Sequence, residues 1–104
     1  MKANDNKCPA EFTLAMIGGR WKIPIIFHLL EGRKRFTELA RALHGVTQKM
    51  LTQQLREMAR NGLVERTVFA QVPPRVEYSL TDLGMSIRPV VDAMCRWGEE
   101  HGGK

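Results

Sequence analysis

The segment TELARALHGVTQKMLTQQLREMARNG, residues 37–62, decides the fold, because it encodes two short helices separated by a tight break. Thr37 and Thr47 are each favoured N-caps, one for either helix. The tripeptide His44-Gly45-Val46 lies between the helices and interrupts the helical pattern. Two helices joined by a glycine-containing turn of this length predict a helix-turn-helix.

The second of these helices, predicted over residues 48–61 and closed by Gly62, is amphipathic. At about 100° per residue, its apolar face contains Leu51, Leu55 and Met58. The opposite face is basic, rich in amides and free of acids, and it comprises Lys49, Thr52, Gln53, Arg56 and Arg60. The absence of acids favours a face that binds an anionic partner.

Two strands follow directly, over residues 63–69 and 76–80, where β-branched and alternating apolar residues recur. The residues between them are Gln71-Val72-Pro73-Pro74-Arg75. Because proline cannot donate to a strand ladder, Pro73-Pro74 belong in the connection and stiffen it. A hairpin placed directly behind a helix-turn-helix is the arrangement called a wing.

Further helices are predicted on both sides of this unit. Cys8-Pro9-Ala10-Glu11 begins a first helix that Gly18-Gly19 ends, and residues 21–30 form a second that is apolar nearly all round, as buried helices are. Thr81 caps a last helix, which Pro89 is expected to kink. Its apolar stripe comprises Leu83, Ile87, Val90, Val91, Met94 and Trp97.

The length and composition suit one domain over residues 1–104, since domains commonly have about 100–150 residues and 43% of these are hydrophobic. The predicted fold class is mainly α with a small β-hairpin (α+β), a winged helix-turn-helix. No run approaches the ~20 apolar residues of a membrane span, and the N-terminus lacks the apolar stretch of a signal peptide. We therefore expect a cytoplasmic protein with no membrane partner.

The net charge of +5 suggests an anionic partner, and its distribution is more informative than its size. Residues 20–66 contain ten Lys and Arg against four acids, whereas residues 67–104 contain four against five. The basic character therefore belongs to the segment that includes the helix-turn-helix.

Enzymatic chemistry finds no support, because no nucleophile–base pair, phosphate-binding loop or metal-ligand spacing is present. The two cysteines, Cys8 and Cys95, are far apart, and His28, His44 and His101 are scattered. The sequence therefore predicts no cofactor, no metal site and no disulfide framework.

Several strings resemble the HxlR-type family of bacterial winged-helix regulators, and they occur in the family's order between residues 8 and 100. They are Cys8-Pro9, Ile17-Gly18-Gly19-Arg20-Trp21-Lys22, Arg35-Phe36-Thr37-Glu38-Leu39, residues 47–56, Asn61-Gly62-Leu63-Val64 and residues 72–81. The resemblance implies a homodimeric repressor or activator with terminal helices that form the dimer contacts. Those contacts would be made by Phe12, Met16, Ile87, Val90, Val91, Met94 and Trp97.

The predicted ligand is double-stranded DNA with two half-sites. The N-terminal turns of a recognition helix read base edges in the major groove, where Gln pairs with adenine and Lys or Arg with guanine. The residues expected at this interface are Gln48, Lys49, Thr52 and Gln53 near bases, Thr47 at the start of the same helix, Arg56 near phosphate, Arg75 at a minor groove or its phosphates, and Arg35, Thr37, Arg20 and Lys22 at phosphates. The alternative is that these side chains are only solvated helix faces, or that the winged helix is a protein-interaction module.

Many regulators of the family respond to reactive aldehydes, quinones or oxidants, and several do so through an N-terminal cysteine at the Cys8 position. A helix N-terminus and Lys7 would also stabilise a Cys8 thiolate, the reactive form. Sensing of an electrophile or another small effector by Cys8 and a packing role for Cys8 both stay open. Cys95 borders the apolar stripe and is interpreted as a packing residue.

Overall fold

The structure is a computed structural model that describes residues 8–102. Its elements in chain order are α1 (Pro9–Ile17), α2 (Lys22–Leu29), β1 (Lys34–Arg35), α3 (Phe36–Ala42), α4 (Gln48–Arg60), β2 (Val64–Phe69), β3 (Arg75–Leu80), α5 (Asp82–Ser86) and α6 (Arg88–His101). This order is that of a winged helix-turn-helix, as the sequence predicts. Within the described range no helix is long and apolar enough to cross a bilayer.

Helix α4 begins where the sequence places it and ends one residue earlier than predicted, at Arg60. The Thr47 hydroxyl accepts a hydrogen bond from the Met50 N–H at 3.0 Å, which satisfies one of the free amides of the first turn. Gly62 follows the helix with φ +80°, a conformation that a side chain disfavours. The apolar face of α4 is buried in the core. The predicted helix-turn-helix is therefore confirmed.

The first helix of the motif, α3, begins earlier than predicted. Its N-cap is Arg35, whose N–H donates to the Glu38 carboxylate at 2.7 Å, so Thr37 lies inside the first turn and does not cap. The reason is that Lys34 and Arg35 pair with β3, and the chain passes from this short strand directly into the helix.

The wing belongs to a three-stranded antiparallel sheet with the order β1-β3-β2. In its register Val64 pairs with Leu80 and Phe69 pairs with Arg75, so Pro73 and Pro74 lie in the connection as predicted. Lys34 pairs with Tyr78 on the other side of β3. The strand β1 has two residues, too few to produce a periodic pattern, and the sequence interpretation of residues 31–34 as a turn missed it.

The predicted last helix is divided into α5 and α6. Thr81 caps α5 by accepting a hydrogen bond from the Gly84 N–H at 3.0 Å. The helices meet at Ile87, because Pro89 has no N–H to donate and is tolerated only in the first turn of a new helix. A Cβ on Gly84 would collide with the Leu63 carbonyl oxygen, so α5 packs directly against the chain entering β2.

The core lies where α2, α3, α4, the sheet and α6 meet. Its buried apolar residues are Ile17, Ile25, Ile26, Leu29, Leu39, Leu43, Leu51, Leu55, Met58, Leu63, Val64, Tyr78 and Val91. Helix α2 is not buried on every side as its sequence predicts, because Phe27 is half exposed. Val91 is fully buried in this core, so its assignment to a dimer interface is wrong.

Candidate nucleic-acid interface

The polar face of α4 presents a shallow concave surface to solvent. Its lining residues are Gln48, Lys49, Thr52, Gln53 and Arg56. All but Thr52 are exposed. Five of the side chains that the sequence predicts at a DNA interface therefore share one surface of one helix.

A larger groove of about 740 Å³ lies between α4 and the wing. It is lined by Arg35, Phe36, Thr37, Gln48, Thr52, Leu55, Arg56, Ala59, Arg66, Gln71, Pro73, Pro74, Arg75, Val76 and Tyr78. Four of these residues are arginines, contributed by β1, α4, β2 and β3, and none is an acid. We call this surface the arginine groove.

Arg66 is part of the arginine groove, and the sequence analysis did not assign it a role. It is exposed and pairs with Tyr78 across the sheet. Side chains alternate between the two faces of a strand, so Arg66 lies on the same face as the buried Val64, toward the helices. The strand pattern could therefore have indicated it.

Arg75 is held against the hairpin. Its guanidinium lies over the Phe69 ring at 4.4 Å, and its Nε is 3.0 Å from Glu77 Oε2, at an angle that does not make a hydrogen bond. Glu77 also lies 3.5 Å from Arg33 Nη1. Because Nε is the atom that faces Glu77, the Nη groups are the donors that Arg75 would offer to DNA while it stays in this position.

Arg20 lies beside the helix-turn-helix break. Its guanidinium stacks over Trp21 at 4.5 Å, and its Nη2 is 3.9 Å from the place a Cβ on Gly45 would occupy. Gly45 has φ +87°, so the turn is tight and the arginine lies against it. The exposed Arg20 is thus near the N-terminus of α4.

Lys22 is buried, and its predicted contact with phosphate is wrong. It is the first residue of α2, and its Nζ donates to Glu57 Oε1 at 2.5 Å. Glu57 is the one acid on α4, and the charge of Lys22 neutralises this carboxylate instead of a phosphate. The hydrogen bond from Lys22, together with its charge, lowers the pKa of Glu57.

Apolar side chains of α1 and α6 are exposed in the single chain. Among the predicted interface residues, Phe12, Val90, Met94 and Trp97 are between 38% and 65% exposed, whereas Met16 and Ile87 pack partly on the core. Leu14 on α1 is 63% exposed and was not predicted. Trp97 stacks on His101 with ring centroids 4.5 Å apart.

Cys8 and Cys95 are exposed free thiols. Cys8 is the N-cap residue of α1, and its carbonyl accepts the Glu11 N–H at 2.9 Å. Lys7 lies outside the described residues. Cys95, interpreted as a packing residue, is on the outside of α6 in the single chain. Between residues 8 and 102 no cluster of His, Cys, Asp and Glu is suited to a metal ion.

Comparison with known proteins agrees with this arrangement. Residues 16–104 match the model of the HxlR-like helix-turn-helix family. The chain is 50% identical over 98 residues to the uncharacterized HTH-type transcriptional regulator YybR of Bacillus subtilis. The aligned region covers 94% of this chain and 78% of YybR.

Solved structures of regulators are similar as well. The redox regulator HypR in its oxidized form has a TM-score of 0.85 and 51% identity, over 90% of this chain and 97% of HypR. The reduced form of the transcriptional regulator YodB from B. subtilis has a TM-score of 0.80 and 35% identity, over 94% of this chain and 99% of YodB. These relatives are transcriptional regulators and not enzymes. The chain belongs to the HxlR-like helix-turn-helix family of DNA-binding transcriptional regulators.

Proposed function

We propose that this chain binds, as a homodimer, a double-stranded DNA operator with two half-sites, and that it regulates transcription from the cytoplasm in this way. The observation that carries the proposal is the acid-free polar surface of α4, which continues into the arginine groove. A duplex presents phosphates on both sides of its major groove, so one helix surface flanked by arginines matches its charge and its shape.

Within this interface the side chains divide into two groups. Gln48, Lys49, Thr52 and Gln53 lie in the N-terminal half of α4, the part of a recognition helix that meets base edges. The arginines of the groove, with Thr37 beside them, are assigned to phosphates and sugars, which fix orientation without reading sequence. Arg20 and the Thr47 cap flank the start of α4 and join the second group.

The proposal is tested by measuring duplex affinity at about 50 mM and about 200 mM salt for wild type and single variants. Lys49→Ala or Gln53→Ala should cost ~1–3 kcal/mol on the preferred site and relax the sequence preference. Arg56→Ala should weaken all duplexes evenly, because it meets phosphate.

Arg88→Ala is the matched control, because Arg88 is an exposed arginine on α6, outside the proposed DNA interface. The duplex affinity of this variant should equal that of wild type. A wild-type protein without duplex affinity even at low salt would contradict the proposal. The winged helix would then be a protein-interaction module.

The homodimer is supported by the exposed apolar side chains of α1 and α6. Large apolar side chains at this level of exposure mark an interaction surface when they cluster. A second copy, with the same surface, supplies a self-complementary partner. Two recognition helices held about 34 Å apart then meet successive major grooves.

The regulatory signal is proposed to be an electrophile or oxidant acting at Cys8. The thiol is exposed at the start of α1, one of the two proposed dimer helices, so a group added there lies next to the interface. Similar proteins include the redox regulator HypR in reduced and oxidized forms and YodB after diamide treatment. The competing proposal is a packing role for Cys8 in the dimer.

A further inference from the structure

An ion pair joins the buried Lys22 of α2 to the partly exposed Glu57 of α4 at the edge of the interface. Lys22 is 7% exposed and is the one charged residue that is buried between residues 8 and 102. Its Nζ donates to Glu57 Oε1 at 2.5 Å, and the two residues are 35 positions apart in sequence. A buried ammonium is costly unless it is paired and hydrogen-bonded, so Lys22 is committed to this contact.

Glu57 lies one helical turn beyond Gln53, on the same side of α4. Its side chain is 43% exposed, so it lies at the boundary between the buried face of the helix and the face that meets solvent. The ion pair therefore acts at the edge of the proposed DNA-binding surface and on the stripe that contains Gln53.

The other contacts of α4 with the core have a different character. Leu51, Leu55 and Met58 hold the helix through apolar burial, which has no preferred direction. A charge-assisted hydrogen bond is short and directional. Of these contacts, the ion pair is the directional one, and it adds to the resistance that the packed apolar face offers to rotation of α4 about its own axis.

A small rotation is sufficient to disturb base reading. With side chains included, a helix is ~10–12 Å in diameter, so a turn of ~10° moves a side-chain tip by ~1 Å. Hydrogen bonds to nitrogen and oxygen tolerate a range of only ~0.5 Å. Side chains that contact flexible phosphate groups can follow such a movement, whereas a glutamine that pairs with one base edge cannot.

We propose that Lys22 and Glu57 are positioning residues that set the rotation of the recognition helix and thereby its sequence specificity, although neither touches DNA. This inference rests on the proposed function and adds a determinant to it. Lys22, which resembles a phosphate-binding residue in sequence, acts through α4 instead.

The test compares wild type, Lys22→Met and Glu57→Gln by fluorescence anisotropy, at a temperature where circular dichroism shows every variant folded. Met keeps the length and the apolar stem of Lys22 and removes the charge. We expect each variant to lose about tenfold in the ratio of operator affinity to affinity for an unrelated duplex, the size of one weakened base contact. The affinity for the unrelated duplex itself should fall for Lys22→Met, which leaves the Glu57 carboxylate without its partner, and should not fall for Glu57→Gln.

Leu29→Ala is the matched control, because Leu29 is buried on the same helix as Lys22 and makes no ion pair. It should lower stability and leave operator affinity unchanged. If Lys22→Met and Glu57→Gln lower stability without changing the ratio of operator to unrelated affinity, the pair is only stabilising and the inference is overturned.

A crystal structure of the Lys22→Met variant provides a readout that does not depend on DNA. The inference expects α4 to be rotated about its axis relative to α2, and an unrotated α4 overturns it. If wild type binds no duplex at all, the proposed function fails, and this structure still decides whether the pair positions the helix.

Discussion

Glu57 shows how one negative charge is accommodated beside the surface proposed to bind DNA. On α4 its carboxylate would repel phosphate, but the pairing with Lys22 neutralises it and lowers its pKa. An acid with a lowered folded-state pKa stabilises the fold above its unfolded pKa, and this contribution is lost as the pH falls through the folded value. The window for Glu57 therefore lies below its ordinary value of 4.5.

We accordingly expect Glu57→Gln to be less stable than wild type at neutral pH, with a difference that shrinks as the pH falls through this window. The reason is that protonated wild-type Glu57, like glutamine, no longer forms the ion pair. Urea unfolding of both proteins between pH 7 and pH 3 measures this difference. A difference that stays constant over the whole range would mean that the ion pair contributes no stability.

Cys8 is the residue at which a chemical signal is expected to act. The thiolate is the reactive form of cysteine, and α1 begins at this position. Treatment with diamide or a quinone should lower operator affinity in wild type and leave Cys8→Ser unaffected, which retardation assays can measure. Unchanged wild-type binding after confirmed modification of Cys8 would eliminate the switch, and loss of binding in both proteins would direct attention to the exposed Cys95.

At the residue scale, the sequence predicts side chains whose environment is set by their own helix. Thr47 caps α4, and Gln53 lies on its polar face, because both follow from helical periodicity. Lys22 was assigned wrongly, because its partner is 35 positions away and no local pattern contains it. Thr37 was assigned wrongly as a cap, because the start of α3 is set by strand pairing with β3.

At the scale of single elements, α6 is expected to hold the dimer together. Trp97 and Met94 are 65% and 45% exposed on this helix, and a carboxylate placed in an apolar interface would be buried without a partner. Trp97→Asp should therefore give monomers in analytical ultracentrifugation at micromolar concentration, and Val90→Asp should do the same.

Arg96→Asp is the control for charge on the same helix, since Arg96 is not among the apolar residues of the stripe. It should leave the association state unchanged. Sedimentation of wild type as a monomer at this concentration would rule out the dimer.

The elements themselves could be predicted wherever a periodic pattern was long enough. Helix α4 and the two wing strands have such patterns, and they appear within one residue or so of the predicted ends. The strand β1 has only two residues, and its pairing with β3 depends on tertiary contacts. Pro89 indicated a kink, and the structure shows a complete break at Ile87, with α5 packed on the chain at Leu63 in a tertiary contact that the local pattern does not contain.

At the scale of the whole molecule, the arginine groove and the apolar surfaces of α1 and α6 have separate tasks in the proposed account. We propose that the groove and α4 bind one half-site and that the terminal helices fix the distance between two such units. The Lys22–Glu57 pair connects the two tasks, because α2 follows α1 after a four-residue link and contacts α4 directly. In this proposal, sequence specificity depends on the rotation of each recognition helix about its axis and on the distance between the two recognition helices of the dimer.

The most direct test of this account uses an operator selected from random duplexes and changes only the spacing of its half-sites. Inserting about five base pairs turns one half-site by roughly half a helical turn and places it on the opposite side of the duplex. We predict that affinity falls by at least about 100-fold toward that for unrelated DNA, since specific sites are bound ~10³-fold tighter or more. A substituted spacer of unchanged length should retain most of the affinity. Equal affinity for the original and the lengthened operator would contradict the account.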